Sequence, residues 1–149
     1  MKTYMPLNGL RWSRNSGSAN CDMPQSAVFG RPGGGISVGS NVDIGMNTVI
    51  FAKKGVFIGN NTSIAGQCYI IDSNHGTKIG ELIRNQEDDV SKDGIHIGND
   101  VWIAAQCVIL KGAKINDGAI IGAQSLVNCE IPANAIAVGT PAKVIGYRK

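Results

Sequence analysis

The sequence predicts an all-β chain of short strands stacked at regular intervals, and three observations carry that expectation. Isoleucine and valine together fill 30 of 149 positions while leucine fills five, and β-branched side chains suit a pleated, half-buried surface better than a helix. Aliphatic residues recur at every sixth position over long stretches. Twenty glycines, without a three-residue period, punctuate those stretches and suit tight corners.

The longest run begins at Ile97 and reads IGNDVW, IAAQCV, ILKGAK, INDGAI, IGAQSL and VNCEIP. Its leading residues are Ile97, Ile103, Ile109, Ile115, Ile121 and Val127, and Ala133 continues the phase. The fifth members, Val101, Cys107, Ala113, Ala119, Ser125 and Ile131, are mostly small. Upstream, Val38, Ile44 and Ile50 form a first run, with Val42 and Thr48 in the fifth position. A two-residue slip at Lys53 and Lys54 resets the phase to Ile58, Ile64 and Ile70, with Thr62, Cys68 and Asn74 fifth. From Ile70 to Ile97 is 27 residues, not a multiple of six, so a segment is expected to loop out there.

A period of six does not fit an α-helix, whose apolar stripe returns every 3.6 residues. It fits a short strand followed by a corner, with one large and one small side chain pointing inward from each unit. Glycines and asparagines such as Gly39, Asn41, Gly45, Asn47, Gly59, Asn61, Gly98, Asn99 and Gly122 would occupy the corners. Stacked at about 4.8 Å, each strand bonds to those above and below.

Residues 1–149 fit one domain. Residues 1–35 lack the period and are expected to form a cap or loop. Residues 76–94, with Glu87, Asp88, Asp89, Ser91, Lys92 and Asp93, are expected to form a solvated protruding loop. Residues 139–149 would be a final strand or short arm that covers an exposed edge.

A formal charge of +3 is too weak a bias to predict nucleic-acid binding. No run of 18 apolar residues predicts a transmembrane segment, no secretory signal is read at the start, and the expectation is a cytoplasmic protein. Cys21, Cys68, Cys107 and Cys129 contain no CxxC pair and are expected to be free thiols.

The hexads resemble the [LIV]-G-x-x-x-x repeat of the hexapeptide-repeat acyltransferases, whose left-handed parallel β-helix uses three hexads per coil of 18 residues. From Ile95 the chain reads IHIGNDVWIAAQCVILKGAKINDGAIIGAQSLVNCEIPANAIAVGTPAKVIGYRK. This resembles the closing segment of the branch holding galactoside, maltose, nodulation-type and polysaccharide O-acetyltransferases. The match is dense from Ile95 to Ile145 and looser from Val38 to His75. Left-handedness is implied by the resemblance alone, since it opposes the usual crossover rule.

The resemblance implies acetyl transfer from acetyl-coenzyme A to a hydroxyl of a sugar or polysaccharide precursor. It further implies a homotrimer with sites between neighbouring β-helices, a sugar-like or lipid-linked acceptor, and no metal. His75, one residue past Asn74 where the phase fails, corresponds to the general base; a plain surface-loop histidine is the alternative. Asp72 or Asn74 would orient His75 or touch the acceptor, or serve only as corner residues. Trp102, expected to face outward, would lie near the reactive end of the coenzyme, or pack against a neighbouring subunit. Ala105, Ala123 and Asn128 would line the groove for the pantetheine arm, while Ala104 departs from the usual VWIG. Lys143 would meet the phosphorylated nucleotide end, assisted by Arg148 and Lys149.

His96, between Ile95 and Ile97, is expected to face outward and is the second choice of base. Two histidines are too few for the three-histidine zinc site of solenoid carbonic anhydrases. Amino groups of amino sugars or xenobiotics are alternative acceptors. A non-catalytic β-helix scaffold is the non-enzymatic alternative.

Overall fold

A computed structural model describes residues 28–30 and 34–149. The chain climbs through five coils of three short strands each. The first coil holds β1 (Val28–Gly30), β2 (Gly35–Val38) and β3 (Asp43–Ile44). The second holds β4 (Val49–Ala52), β5 (Gly55–Ile58) and β6 (Ser63–Ile64). The third begins with β7 (Tyr69–Ile71) and makes an excursion containing β8 (Ser73–Asn74) and β9 (Asp89–Val90). It then resumes with β10 (Ile95–Ile97) and β11 (Trp102–Ile103). The fourth is β12 (Val108–Ile109), β13 (Lys114–Ile115) and β14 (Ile120–Ile121). The fifth is β15 (Leu126–Val127), β16 (Glu130–Ile131) and β17 (Ala135–Val138), after which β18 (Lys143–Tyr147) returns.

Corresponding strands of successive coils pair in parallel, giving three faces of a left-handed β-helix. The first face is β1-β4-β7-β12-β15, the second β2-β5-β10-β13-β16, and the third β3-β6-β11-β14-β17-β18. Aliphatic side chains stack in columns in the interior. Ile50, Ile70, Ile109 and Val127 stack on the first face; Ile58, Ile97, Ile115 and Ile131 on the second; Ile44, Ile64, Ile103 and Ile121 on the third. All twelve are buried. The small fifth members fill the corners between these columns. Where they are polar they are bonded: Thr48 Oγ1 donates to the Ala65 carbonyl at 3.1 Å, and Thr62 Oγ1 to that of Gly98 at 2.9 Å.

The corners depart from expectation in an instructive way. The left-handed backbone conformation falls on Asn41, Asn47 and Asn61 as expected, but also on Gln67, Gln106 and Gln124. Those three glutamines share the edge between third and first faces, where Gln106 donates to Gln67 at 2.9 Å and Gln124 to Gln106 at 3.1 Å. The glycines serve a different purpose there. A Cβ on Gly45 would meet the Gly66 nitrogen at 2.3 Å, so what is required at that corner is close approach between coils.

The hexad phase also shifts once more than expected. Ala133 is exposed, and Ile131 takes the interior position below Ile115 because the last corner between first and second faces is two residues shorter. The expected cap over residues 1–35 lies largely outside the described residues, although Val28–Gly30 is already a strand of the first coil. At the other end, β18 runs antiparallel to β17 and covers the edge of the third face. No helix among the described residues is long and apolar enough to cross a membrane.

Candidate active site

The excursion leaves the solenoid at the edge between first and second faces, and its root is fixed by Asp72. That carboxylate is fully buried. Its Oδ1 accepts the Lys53 backbone N–H at 2.8 Å, and its Oδ2 accepts those of Lys54 and Gly55 at 2.7 and 2.8 Å. Its own carbonyl accepts the Ser91 N–H at 2.8 Å. One residue thus ties the second-coil corner to the departing and returning arms of the excursion. Of the roles expected for Asp72 the geometry fits the corner residue: a carboxylate that accepts three backbone donors and is sealed from solvent fixes the backbone and does not itself reach an acceptor.

Beyond Asp72 the chain turns out as β8, which pairs antiparallel with β9, Ser73 opposite Val90 and Asn74 opposite Asp89. Asn74 is exposed beside His75. The ladder sets residues just past one strand against residues just before the other. His75 Nδ1 consequently lies 3.3 Å from Asp88 Oδ1, and the second Asp88 oxygen pairs with the Lys53 ammonium. Asp89 pairs with Lys111 on the fourth-coil corner. The His75 side chain is 67 % exposed, whereas those of Asp88 and Lys53 are 19 % and 14 % exposed. A carboxylate beside Nδ1 of a largely exposed ring is an arrangement that suits an imidazole to accept a proton from an incoming hydroxyl. Asp88 and Lys53 did not stand out in the sequence as site residues, because strand pairing rather than periodicity brings them to His75.

The rest of the loop is ordered by one amide. Gln86 is buried, accepts the Lys78 N–H at 2.8 Å, and donates to the carbonyls of Lys78 and Glu81 at 2.9 and 3.1 Å. Where the loop rejoins the second face, Gly94 has φ +81° and lies so close to the Gly55 carbonyl that a Cβ would approach it to 2.3 Å.

The remaining candidates sit elsewhere on the solenoid. Trp102 points outward from the third face, between Ser63 and Ile120, and is 52 % exposed. It borders a shallow hollow with Asn61, Ser63, Asp100, Ile120 and Arg148. Ala105 and Ala123 are exposed on the edge between third and first faces, one coil apart, with the Gln124 N–H bonded to the Ala105 carbonyl at 3.0 Å. Lys143 opens β18 opposite Val138. Asn128 departs from the expected line: it is exposed on the edge between first and second faces, the His75 side of the molecule, separated from Ala105 and Ala123 by the first face.

Arg148 lies in the arm beyond β18. Its Nη1 donates to Asp100 Oδ2 at 2.8 Å and to the Gly118 carbonyl at 3.1 Å, so this guanidinium fastens the arm to the solenoid. His96 faces outward as expected. It stacks on Phe57 with ring centroids 4.6 Å apart, and its Nε2 lies 2.9 Å from the Asp93 carbonyl. Within one chain, then, His75 and Trp102 occupy different sides of a triangular prism. The outside of the first face carries an apolar column of Val49, Tyr69, Val108 and Leu126 in register.

Residues 94–129 match the family model described as bacterial transferase hexapeptide (six repeats). A probable acetyltransferase of Mycobacterium tuberculosis is 32 % identical over 117 residues, covering 78 % of this chain and 38 % of that protein. The Escherichia coli K12 protein WbbJ, whose name assigns it O-acetyl transfer in lipopolysaccharide biosynthesis, is 32 % identical over 128 residues, covering 79 % of this chain and 62 % of that one. The chain therefore spans less than two thirds of the length of these curated relatives. Among solved structures, a maltose O-acetyltransferase from Clostridium difficile 630 superposes with a TM-score of 0.60 at 27 % identity, covering 82 % of this chain and 70 % of that one. The repeat, the left-handed coil and these likenesses agree: the chain carries the bacterial transferase hexapeptide repeat on a left-handed β-helix and is similar to acetyltransferases of the hexapeptide-repeat family.

Proposed function

We propose that this chain transfers an acetyl group from acetyl-coenzyme A to a hydroxyl of a sugar or polysaccharide precursor, with His75 as general base. The observation that carries the reading is His75 itself, solvent-facing at the root of an ordered loop with a carboxylate 3.3 Å from Nδ1. His75 Nε2 takes the proton of the acceptor hydroxyl as its oxygen bonds to the thioester carbonyl carbon. The carbon–sulfur bond then breaks, and the imidazolium returns the proton to the departing thiolate. The sugar and lipopolysaccharide O-acetyltransferases among the similar proteins support a carbohydrate hydroxyl as acceptor.

The residues present suit a long, thin donor with a phosphorylated end. Ala105 and Ala123 present small side chains on one edge of the prism, Trp102 offers an exposed indole on the adjoining face, and Lys143 offers a cation at the start of the arm. These groups face away from the His75 edge, so a complete site needs the His75 edge of one copy against the third face of another. A homotrimer supplies three such junctions by cyclic symmetry. The apolar column on the first face is a surface that association would cover. This reading places the enzyme in the cytoplasm, with access to acetyl-coenzyme A.

The test is release of coenzyme A thiol by the purified chain across a panel of mono- and oligosaccharide acceptors, with sedimentation to fix the assembly. Acceptor-dependent thiol release that falls about 10²-fold or more in His75→Ala, with coenzyme binding retained, is expected. Turnover by that variant at the wild-type rate would remove His75 from the chemistry, and an active monomer would remove the shared site.

A further inference from the structure

Resting on the reading of His75 as base, we propose that Asp88 and Lys53 are its positioning residues. Asp88 holds the Nδ1–H tautomer that leaves Nε2 able to accept a proton, and Lys53 holds Asp88 and offsets its charge.

The two Asp88 oxygens are divided between two partners, His75 on one side and the Lys53 ammonium on the other. An ionised carboxylate only accepts hydrogen bonds, so the imidazole nitrogen beside it carries the hydrogen. With Nδ1 protonated, the lone pair of the neutral ring resides on Nε2. Asp88 is largely withdrawn from water, and a carboxylate in that position requires a partner that is itself fixed. Lys53 meets the requirement because its backbone N–H is held by buried Asp72, and its ammonium lies 5.9 Å from the centre of the Phe51 ring. The relay therefore begins in the solenoid: Asp72 sets the corner, the corner sets Lys53, Lys53 sets Asp88, and Asp88 sets the ring.

Asp89 is paired with Lys111, and Glu87 is exposed on the far side of Asp88 in the chain. Lys53 is thus the cation that balances Asp88. Without it Asp88 loses the partner that fixes its second oxygen, and with it the fixed position beside Nδ1.

The chain has two histidines, which makes the tautomer directly readable. Long-range 15N–1H spectra of the full chain at pH 8 are expected to show His75 as the Nδ1–H form. His96, whose Nε2 faces the Asp93 carbonyl, serves as internal contrast in the Nε2–H form. Asp88→Ala should return His75 to the mixture typical of free imidazole and leave His96 unchanged. In acetyl transfer, Asp88→Asn should lower kcat about tenfold or more with the KM for acetyl-coenzyme A unchanged. Lys53→Met should lower kcat with that KM likewise unchanged, and Lys53→Arg should restore it.

An Nε2–H His75 in the wild-type spectrum, or an unchanged kcat in Lys53→Met, would overturn the proposal and reduce the pairs to a loop latch. If the spectra agree but His75→Ala retains full turnover, it is the reading of His75 as base that fails, so the two failures separate.

Discussion

Ile131 stacks directly on Ile115 although sixteen residues separate them, whereas eighteen separate Ile115 from Ile97 above it. The column stays unbroken because the two missing residues are taken from the corner, and the strand register is kept. Repacking of the interior would cost more than tightening one exposed turn, since interior side chains are close-packed and the corner faces water. Ile115→Ala should therefore destabilise the chain by about 2–5 kcal/mol in urea unfolding. An effect below about 1 kcal/mol would mean that the column does not bear on stability.

Asp72 predicts a second kind of loss. Three backbone donors converge on its buried carboxylate, and Asp72→Ala leaves them without a partner. The expected destabilisation is about 3 kcal/mol or more. Because Lys53 is released at the same time, His75 should also gain mobility, seen as sharper ring resonances. Asp72→Ala at wild-type stability would show that water replaces the carboxylate without penalty.

The solenoid is legible in the sequence because an inward aliphatic every six residues is a one-dimensional signal. Ile58, Ile64 and Ile70 announce the repeat by their spacing alone, while the three faces follow from the family resemblance. The glutamine corners are less legible, since a long amide has no intrinsic preference for the left-handed region. It is the mutual bonding of Gln67, Gln106 and Gln124 that compensates for that backbone. Asp88 is invisible as a site residue because an antiparallel pair inside the loop brings it to His75 with no repeat to mark it. Asn128 falls on a different edge from the one expected for a related reason: position along a motif does not say which side of a prism a corner occupies.

The cysteines give a chemical check on the interior. Cys68 and Cys107 are buried in successive coils, while Cys129 is exposed. The neighbouring Cys68 sulfur and burial together push the Cys107 thiol above its ordinary range. In a Cys21→Ser background the folded chain should therefore show one fast thiol toward an aromatic disulfide reagent at pH 8. The other two should become reactive on unfolding, and Cys129→Ser should abolish the fast phase. Three thiols reacting together in the folded chain would contradict the packing of the corners.

The arm supplies the last contrast, because two of its cations do different things. Arg148 is bound to Asp100 and the Gly118 carbonyl, and the pair is partly exposed, so Arg148→Ala should cost less than about 1 kcal/mol of stability. It should leave the KM for acetyl-coenzyme A near its wild-type value, since both partners of the guanidinium belong to the solenoid itself. Lys143 heads the same strand near the edge that holds Ala123, and no acidic side chain among the described residues forms an ion pair with it. Lys143→Glu should raise that KM about tenfold, the equivalent of one charge-assisted bond to phosphate, with kcat little changed. Steady-state kinetics on both variants decide the matter: equal KM values would remove Lys143 from donor recognition, and a KM raised only by Arg148→Ala would show that the arm binds the donor at its other end.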